Sequence, residues 1–212
     1  MYGTKEIKNR VAPVVSSGVS LAPGPDGTAD SAYEFDGTAN SYIEFPNFQS
    51  GLLDVRHSIM MLCWVYYNGQ DGPLFNYKTS GHWGVHLWVV GAGHLFVRFT
   101  KRDYSFTNAL VSTPLAGGWK FVGASYDGGS GDARLWVNGA VVKTVNIGKG
   151  LDLATQDNIR MGVKSGDGRY FKGRIAQMQV YNSALSQEQI QAIDNRMQGA
   201  CFGCSTFNRK PF

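Results

Sequence analysis

Glutamate is scarce in this chain of 212 residues: Glu6, Glu34, Glu44 and Glu188 are all it has. Hydrolysis of a glycosidic bond needs two carboxylates facing one another across a cleft. Only Glu34 and Asp36 lie two apart in a strand pattern, and Asp36 falls at a turn, so no catalytic pair stands out. Cysteine is equally rare, at three. The single CxxC, Cys201-Phe202-Gly203-Cys204, lacks the second pair of ligands that a structural zinc site needs. It also lacks the strand-then-helix setting of a redox motif. No apolar run reaches the ~18 residues of a membrane-spanning helix, so membrane insertion is not expected. The net charge of +4 is mild, and the basic residues are scattered apart from Lys101-Arg102 and Arg209-Lys210. A stripe that could track phosphates is missing, which argues against nucleic acid. The opening MYGTKEIKNR is too polar for a secretion signal.

What the chain does have is glycine, aromatics and short alternating runs. Its 27 glycines and few charges suit many short strands joined by tight turns. The clearest stretch is Gly118 to Val142. Trp119, Phe121 and Gly123 alternate with Lys120, Val122 and Ala124, the period of a strand. Asp127 to Asp132 is a glycine turn, and Arg134, Trp136 and Asn138 mark a second strand. Asn138-Gly139 predicts a two-residue hairpin that returns Ala140 to Val145 as a third.

Other strands are expected at Val19–Leu21, Ala32–Asp36, Tyr42–Phe45, Leu74–Tyr77, Ser105–Ser112, Asn158–Gly162 and Tyr170–Tyr181. His57 to Tyr67 is apolar enough to be buried on both faces, with Cys63 inside it as a buried thiol. Trp83–Val90 and His94–Thr100 form a hairpin around Gly91-Ala92-Gly93. One helix comes last. Ser186 and Gln189 make a capping box, with Leu185 and Ile190 as a hydrophobic staple. The helix is expected to pack on the edge of the sandwich and to end near Gly199. The sum is an all-β, antiparallel two-sheet sandwich with one short C-terminal helix, which the resemblance below makes a jelly roll. Residues 1–18 are an N-terminal arm, 19–197 the domain and 198–212 a tail. In that tail Cys201 and Cys204 either close a small disulfide loop or stay free to pair between chains, which allows a homo-oligomer.

Four stretches carry a resemblance. They are Ala32-Tyr-Glu-Phe-Asp-Gly37 with Tyr42-Ile43; Ser58 to Trp64 leading to Leu74-Phe75; Trp119 to Gly139; and Phe171-Lys-Gly-Arg-Ile175 running on to Ser186. In that order they resemble the laminin-G-like, pentraxin-related group of concanavalin-type jelly rolls. The resemblance implies an extracellular recognition module, a lectin or an adhesion module that binds glycan or a protein without turning it over. A polysaccharide-degrading hydrolase or lyase is the alternative on the same fold. The resemblance also implies calcium at a loop rim, through Asp36 with Asn40 or through Asn68, Asp71 and Asp167. Pentraxins place acids in the loop that here reads Val163-Lys164-Ser165-Gly166-Asp167, with one acid and a lysine. Their disulfide has no counterpart, because the strand expected to face Cys63 has no cysteine.

His86 and Trp88 share a strand face opposite Leu87 and Val89, with Trp83 and Val85 counted into the core set. An outward His and Trp can stack on a sugar ring, or Trp88 can be packed beneath a loop. Arg102, Asp103 and Tyr104, at the next turn, are the polar groups expected to contact the same ligand. His82 and His86 sit about 13 Å apart at ~3.3 Å per residue, too far to share a metal.

Overall fold

A computed structural model describes residues 12–47, 51–77, 81–115 and 117–202, with side chains in the final helix described as far as residue 195. Its strands are β1 (Val14–Val15), β2 (Val19–Ala22), β3 (Ala32–Asp36), β4 (Ile43–Phe45), β5 (Ile59–Gln70), β6 (Gly72–Tyr77) and β7 (His86–Val90). They continue with β8 (His94–Thr100), β9 (Thr107–Pro114), β10 (Trp119–Tyr126), β11 (Asp132–Val137), β12 (Ala140–Asn146), β13 (Ile159–Met161) and β14 (Lys172–Tyr181). The helix α1 spans Gln187–Phe202. The strands form two sheets of seven, ordered β1-β4-β13-β6-β7-β8-β9 in front and β12-β11-β10-β5-β14-β3-β2 behind. Every named pair is antiparallel.

Alternation along β5 explains the layering. Ile59, Met61, Cys63 and Val65 point into the main core between the sheets. Met60, Leu62 and Trp64 point the other way, into a second cluster with Phe121, Trp136, Leu185, Ile190 and Ile193. So α1 lies on the outer face of the back sheet, not on its edge as the sequence suggests. The reason is area: that face carries large apolar side chains, and each is worth roughly 1.5–3 kcal/mol when covered. The capping box forms as expected, with Ser186 N–H donating to Gln189 Oε1 and Gln189 N–H to Ser186 Oγ. The helix runs past Gly199 to Phe202. A mid-helix glycine costs only about 1 kcal/mol relative to alanine, which a helix can absorb.

The Asn138-Gly139 turn is the two-residue hairpin predicted. Val137 pairs with Ala140, and both central residues have positive φ (50° and 73°). Cys63 is buried and free, and burial pushes its thiol up to about 12. Val14–Val15, assigned to the arm, pairs with β4 and extends the front sheet. The link between the strands expected at His57–Tyr67 and Leu74–Tyr77 is tight: β5 runs to Gln70 and β6 begins at Gly72. Cys204 lies outside the described residues and Cys201 within the helix whose side chain is not described, so the tail bond is left open.

Candidate functional site

With α1 over the back sheet, the front sheet presents the open outer face. Register builds its centre. In the β7–β8 hairpin His86 pairs with Arg98 and Trp88 with Phe96, all on the side away from Leu87, Val89, Leu95 and Val97. On β6 Asn76 stands beside His86, and β9 adds Ala109 and Val111 next to Arg98 and Phe96. Val111 is 46% exposed.

His86 and Trp88 face outward from the core as expected, yet neither meets solvent: they are 2% and 1% exposed. Their cover comes from Trp83 and from the 163–170 loop. Trp83 packs edge-on against Trp88 at 5.6 Å and, tilted, against His86 at 5.2 Å. It therefore belongs with this face and not with the core. The strand begins only at His86, so counting by twos back to Trp83 crosses its boundary. Lys164 sits over the Trp83 ring at 4.3 Å, Arg169 over Trp88 at 4.6 Å, and Arg98 between Trp83 (5.1 Å) and Phe96 (5.6 Å). The result is an aromatic floor studded with three cations. Trp83, Phe96 and Arg98 stay half-buried, within reach of a ligand.

Five buried side-chain polar atoms lack a partner among the described residues, and three of them lie here: Asn76 Oδ1, Trp88 Nε1 and Arg98 Nε. Buried polar groups are normally paired, so this clustering marks the face as unfinished. Of its cations, Arg169 is held by Asp167 through two hydrogen bonds (2.9 and 2.7 Å). Those bonds, above all, hold the Asp167 carboxyl below its ordinary range.

Burial dominates the titration of His86. It pushes the imidazole down to about 3, against a raising hydrogen bond to Gly84, and the charges of Arg98, Lys164 and Arg169 add to the depression. Its Nδ1 donates to the Gly84 carbonyl at 2.9 Å, so the neutral ring keeps Nε2 as an acceptor. Below the unfolded value of about 6.5 the unfolded chain takes up a proton that the native state refuses. Stability therefore falls as pH drops from about 6.5, by at most about 1.4 kcal/mol per pH unit from this group. The variant His86→Gln should show a flatter decline of melting temperature between pH 7 and pH 5 than the parent. An unchanged slope would mean that His86 titrates normally.

The other expected ligand residues sit at the rim and are already engaged. Arg102 forms a bidentate pair with Asp54 (2.8 and 2.9 Å), joined by Thr155 Oγ1 (2.8 Å). Desolvation raises the Asp54 carboxyl, but these bonds and the Arg102 charge outweigh it. Asp103 closes its own turn onto Ser105. Tyr104 stacks on exposed His82 at 4.4 Å and accepts from Gln156. His82 lies ahead of β7, which begins at His86, so the strand spacing between the two histidines does not apply.

The calcium donors do not fit an ion that takes six to eight oxygens. Asp36 caps Thr38. The Asn40 carbonyl accepts from Gly18 N–H in a loop contact. Asp71 accepts from Tyr67, Ala92 and Gly93, and Asp167 is taken by Arg169. Asn68 instead shares a cleft with Asp36, Glu34 and Lys172 beside β2. Among the described residues no three His, Cys, Asp or Glu side chains gather where they could hold a metal.

Sequence reasoning missed Phe96 and Arg98, though the signal was present. They alternate with Leu95, Val97 and Phe99, and the glycine turn aligns them with Trp88 and His86.

Three solved structures share this architecture. The binding domain of Paraclostridial Mosquitocidal Protein 1 superposes with a TM-score of 0.70 at 16% identity, over 90% of this chain and 48% of that one. The botulinum neurotoxin serotype G binding domain gives 0.69 at 11%, over 90% and 47%. The botulinum neurotoxin serotype D ligand binding domain, in complex with N-acetylneuraminic acid, gives 0.66 at 13%, over 88% and 46%. The chain thus spans about half the length of these structures, and at such identities the likeness speaks for the fold alone. No curated protein matches by sequence. The family model of the concanavalin A-like lectin/glucanases matches residues 36–191, most of the chain, so the protein belongs to the concanavalin A-like lectin/glucanases superfamily.

Proposed function

We propose that this chain is a non-catalytic glycan-recognition module that works outside the cell and binds on the outer face of the front sheet. The observation that carries this reading is the ring platform of Trp83, Phe96 and Trp88, on the face that α1 leaves open. Aromatic faces suit the apolar face of a pyranose. Trp88 is reached when the side chains above it swing aside. Cation–π contacts are worth only about 0.5–2 kcal/mol, so a stacking sugar can replace them. The architecture is that of binding domains, one of them crystallised with a sugar. Catalysis has little to work with here. Among the described residues, the acids near the face are engaged: Glu44 with Arg160 and Asn158, Asp167 with Arg169, and Asp71 with Tyr67, Ala92 and Gly93. Binding is expected to need no calcium, given how the donors are spent.

Probing the protein on a glycan array, then titrating the hits calorimetrically, tests this. Trp83→Ala and Phe96→Ala should each weaken binding at least tenfold, about 1.4 kcal/mol, with calcium and chelator giving equal affinities. Silence on the array with capture of a cell-surface protein would favour an adhesion module. Release of new reducing ends or unsaturated products from polysaccharides would favour an enzyme.

A further inference from the structure

Resting on that reading, we propose that the glycan is anionic, bearing carboxylate or sulfate groups, and that Arg98 is the residue that reads its charge. The first ground is an imbalance. Three cations converge on the ring platform: Arg98, Lys164 and Arg169. Asp167 compensates Arg169, with Asp71 also in electrostatic reach of it. Arg98 and Lys164 form no ion pair among the described residues. Two cations are therefore left without an ion-pair partner at the spot where a sugar would stack, although Asp167 also attracts Lys164 at longer range.

The second ground is the unmet hydrogen bond. Arg98 Nε is buried with no acceptor. An unsatisfied buried donor costs about 1–3 kcal/mol, and more when charged. Its two cation–π contacts, at 5.1 and 5.6 Å, offset part of this but offer no acceptor oxygen. Burial and the nearby Arg169 both disfavour the charged guanidinium, which an arriving anion would relieve. A carboxylate or sulfate oxygen supplies what is missing, and hydrogen bonds to ionised groups are roughly twice as strong as neutral ones. A sugar hydroxyl would accept more weakly and leave both charges standing. The neutral ring of His86 adds no charge of its own and places an acceptor beside Arg98, across the β7–β8 pair. An acidic peptide could satisfy Arg98, but it has no pyranose face to lie on Trp83 and Phe96.

Matched pairs of glycans decide the matter by calorimetry. Oligogalacturonate is compared with its carboxyl-reduced galactan, and dextran sulfate with plain dextran, so that carboxylate and sulfate are tested separately. At least one anionic member should bind ten times or more tighter than its neutral partner, and the preference should shrink as salt is raised. Arg98→Gln should remove most of that preference while leaving residual binding to the neutral glycan. Lys164→Gln, in a surface loop, should reduce it in part with an unchanged melting temperature. Equal affinities within both pairs, together with ring-dependent binding, would overturn the anionic reading and leave the glycan module standing. A preference undiminished in Arg98→Gln would overturn the role of Arg98. Poly-glutamate binding as tightly as the anionic glycan would overturn the sugar class. No binding to any glycan would overturn the module itself.

Discussion

Phe171→Ala is expected to lower the unfolding free energy by about 3–5 kcal/mol, the usual cost of emptying a buried phenylalanine site. Phe171 is fully buried and lies edge-on to Phe35 at 6.0 Å. Its surroundings have little means of collapsing into the hole. A Cβ added at Gly72 would come within 2.2 Å of the Phe171 nitrogen, and one at Gly173 within 2.9 Å of Cζ. The backbones of β6 and β14 already press on the residue from two sides. Chemical unfolding should show the loss as a lower midpoint with little change in slope. A loss below about 1 kcal/mol would mean that the site relaxes or that the ring is not in the core.

Gly173→Ala is expected to cost more than about 3 kcal/mol. The backbone there has φ 147°, where L side chains are strained by about 1–3 kcal/mol. A Cβ would also sit 2.2 Å from the Tyr66 carbonyl oxygen, a contact that only strand separation relieves. β14 pairs with both β5 and β3 at this point, so separating it opens the back sheet. Gly168 is the control: a Cβ there meets nothing within 4 Å, and Gly168→Ala should lie within about 0.5 kcal/mol of the parent. Soluble, fully stable Gly173→Ala protein would contradict the register of β14.

Much of this fold is legible because its signals are local. Asn138-Gly139 needs positive φ at both positions, and Ser186 with Gln189 satisfies a helix start on its own. The unbroken apolar run of β5 announces two covered faces, though not what covers the second. That cover is α1, more than a hundred residues on, and only the large outward side chains Trp64, Phe121 and Trp136 hint at it. The indole of Trp136 donates to Ser125 in this layer, so it belongs to the helix interface and not to a ligand.

The site is less legible, for the same reason. Period-two counting places His86 and Trp88 on the outer face correctly, and fails at Trp83, where the strand has not begun. It has no way to see that Lys164 and Arg169 return from a distant loop to roof them. Arg102, Asp103 and Tyr104 look available as a polar triplet after a strand. Their partners, Asp54, Ser105 and His82, come partly from the far side of the loop layer and use them up. The acids expected to hold calcium are engaged similarly, Asp36 by nearby Thr38 and Asp71 by Tyr67 and by the distant turn at Ala92 and Gly93.

The claim that the front sheet binds glycan rests on which tryptophans a sugar touches, and the chain's five report separately by indole 1H–15N resonances. Titration with the best array hit should move the Trp83 and Trp88 signals while Trp64 and Trp136, beneath α1, stay in place. Shifts confined to Trp64, Trp119 or Trp136, with Trp83 and Trp88 unmoved under saturating glycan, would contradict it.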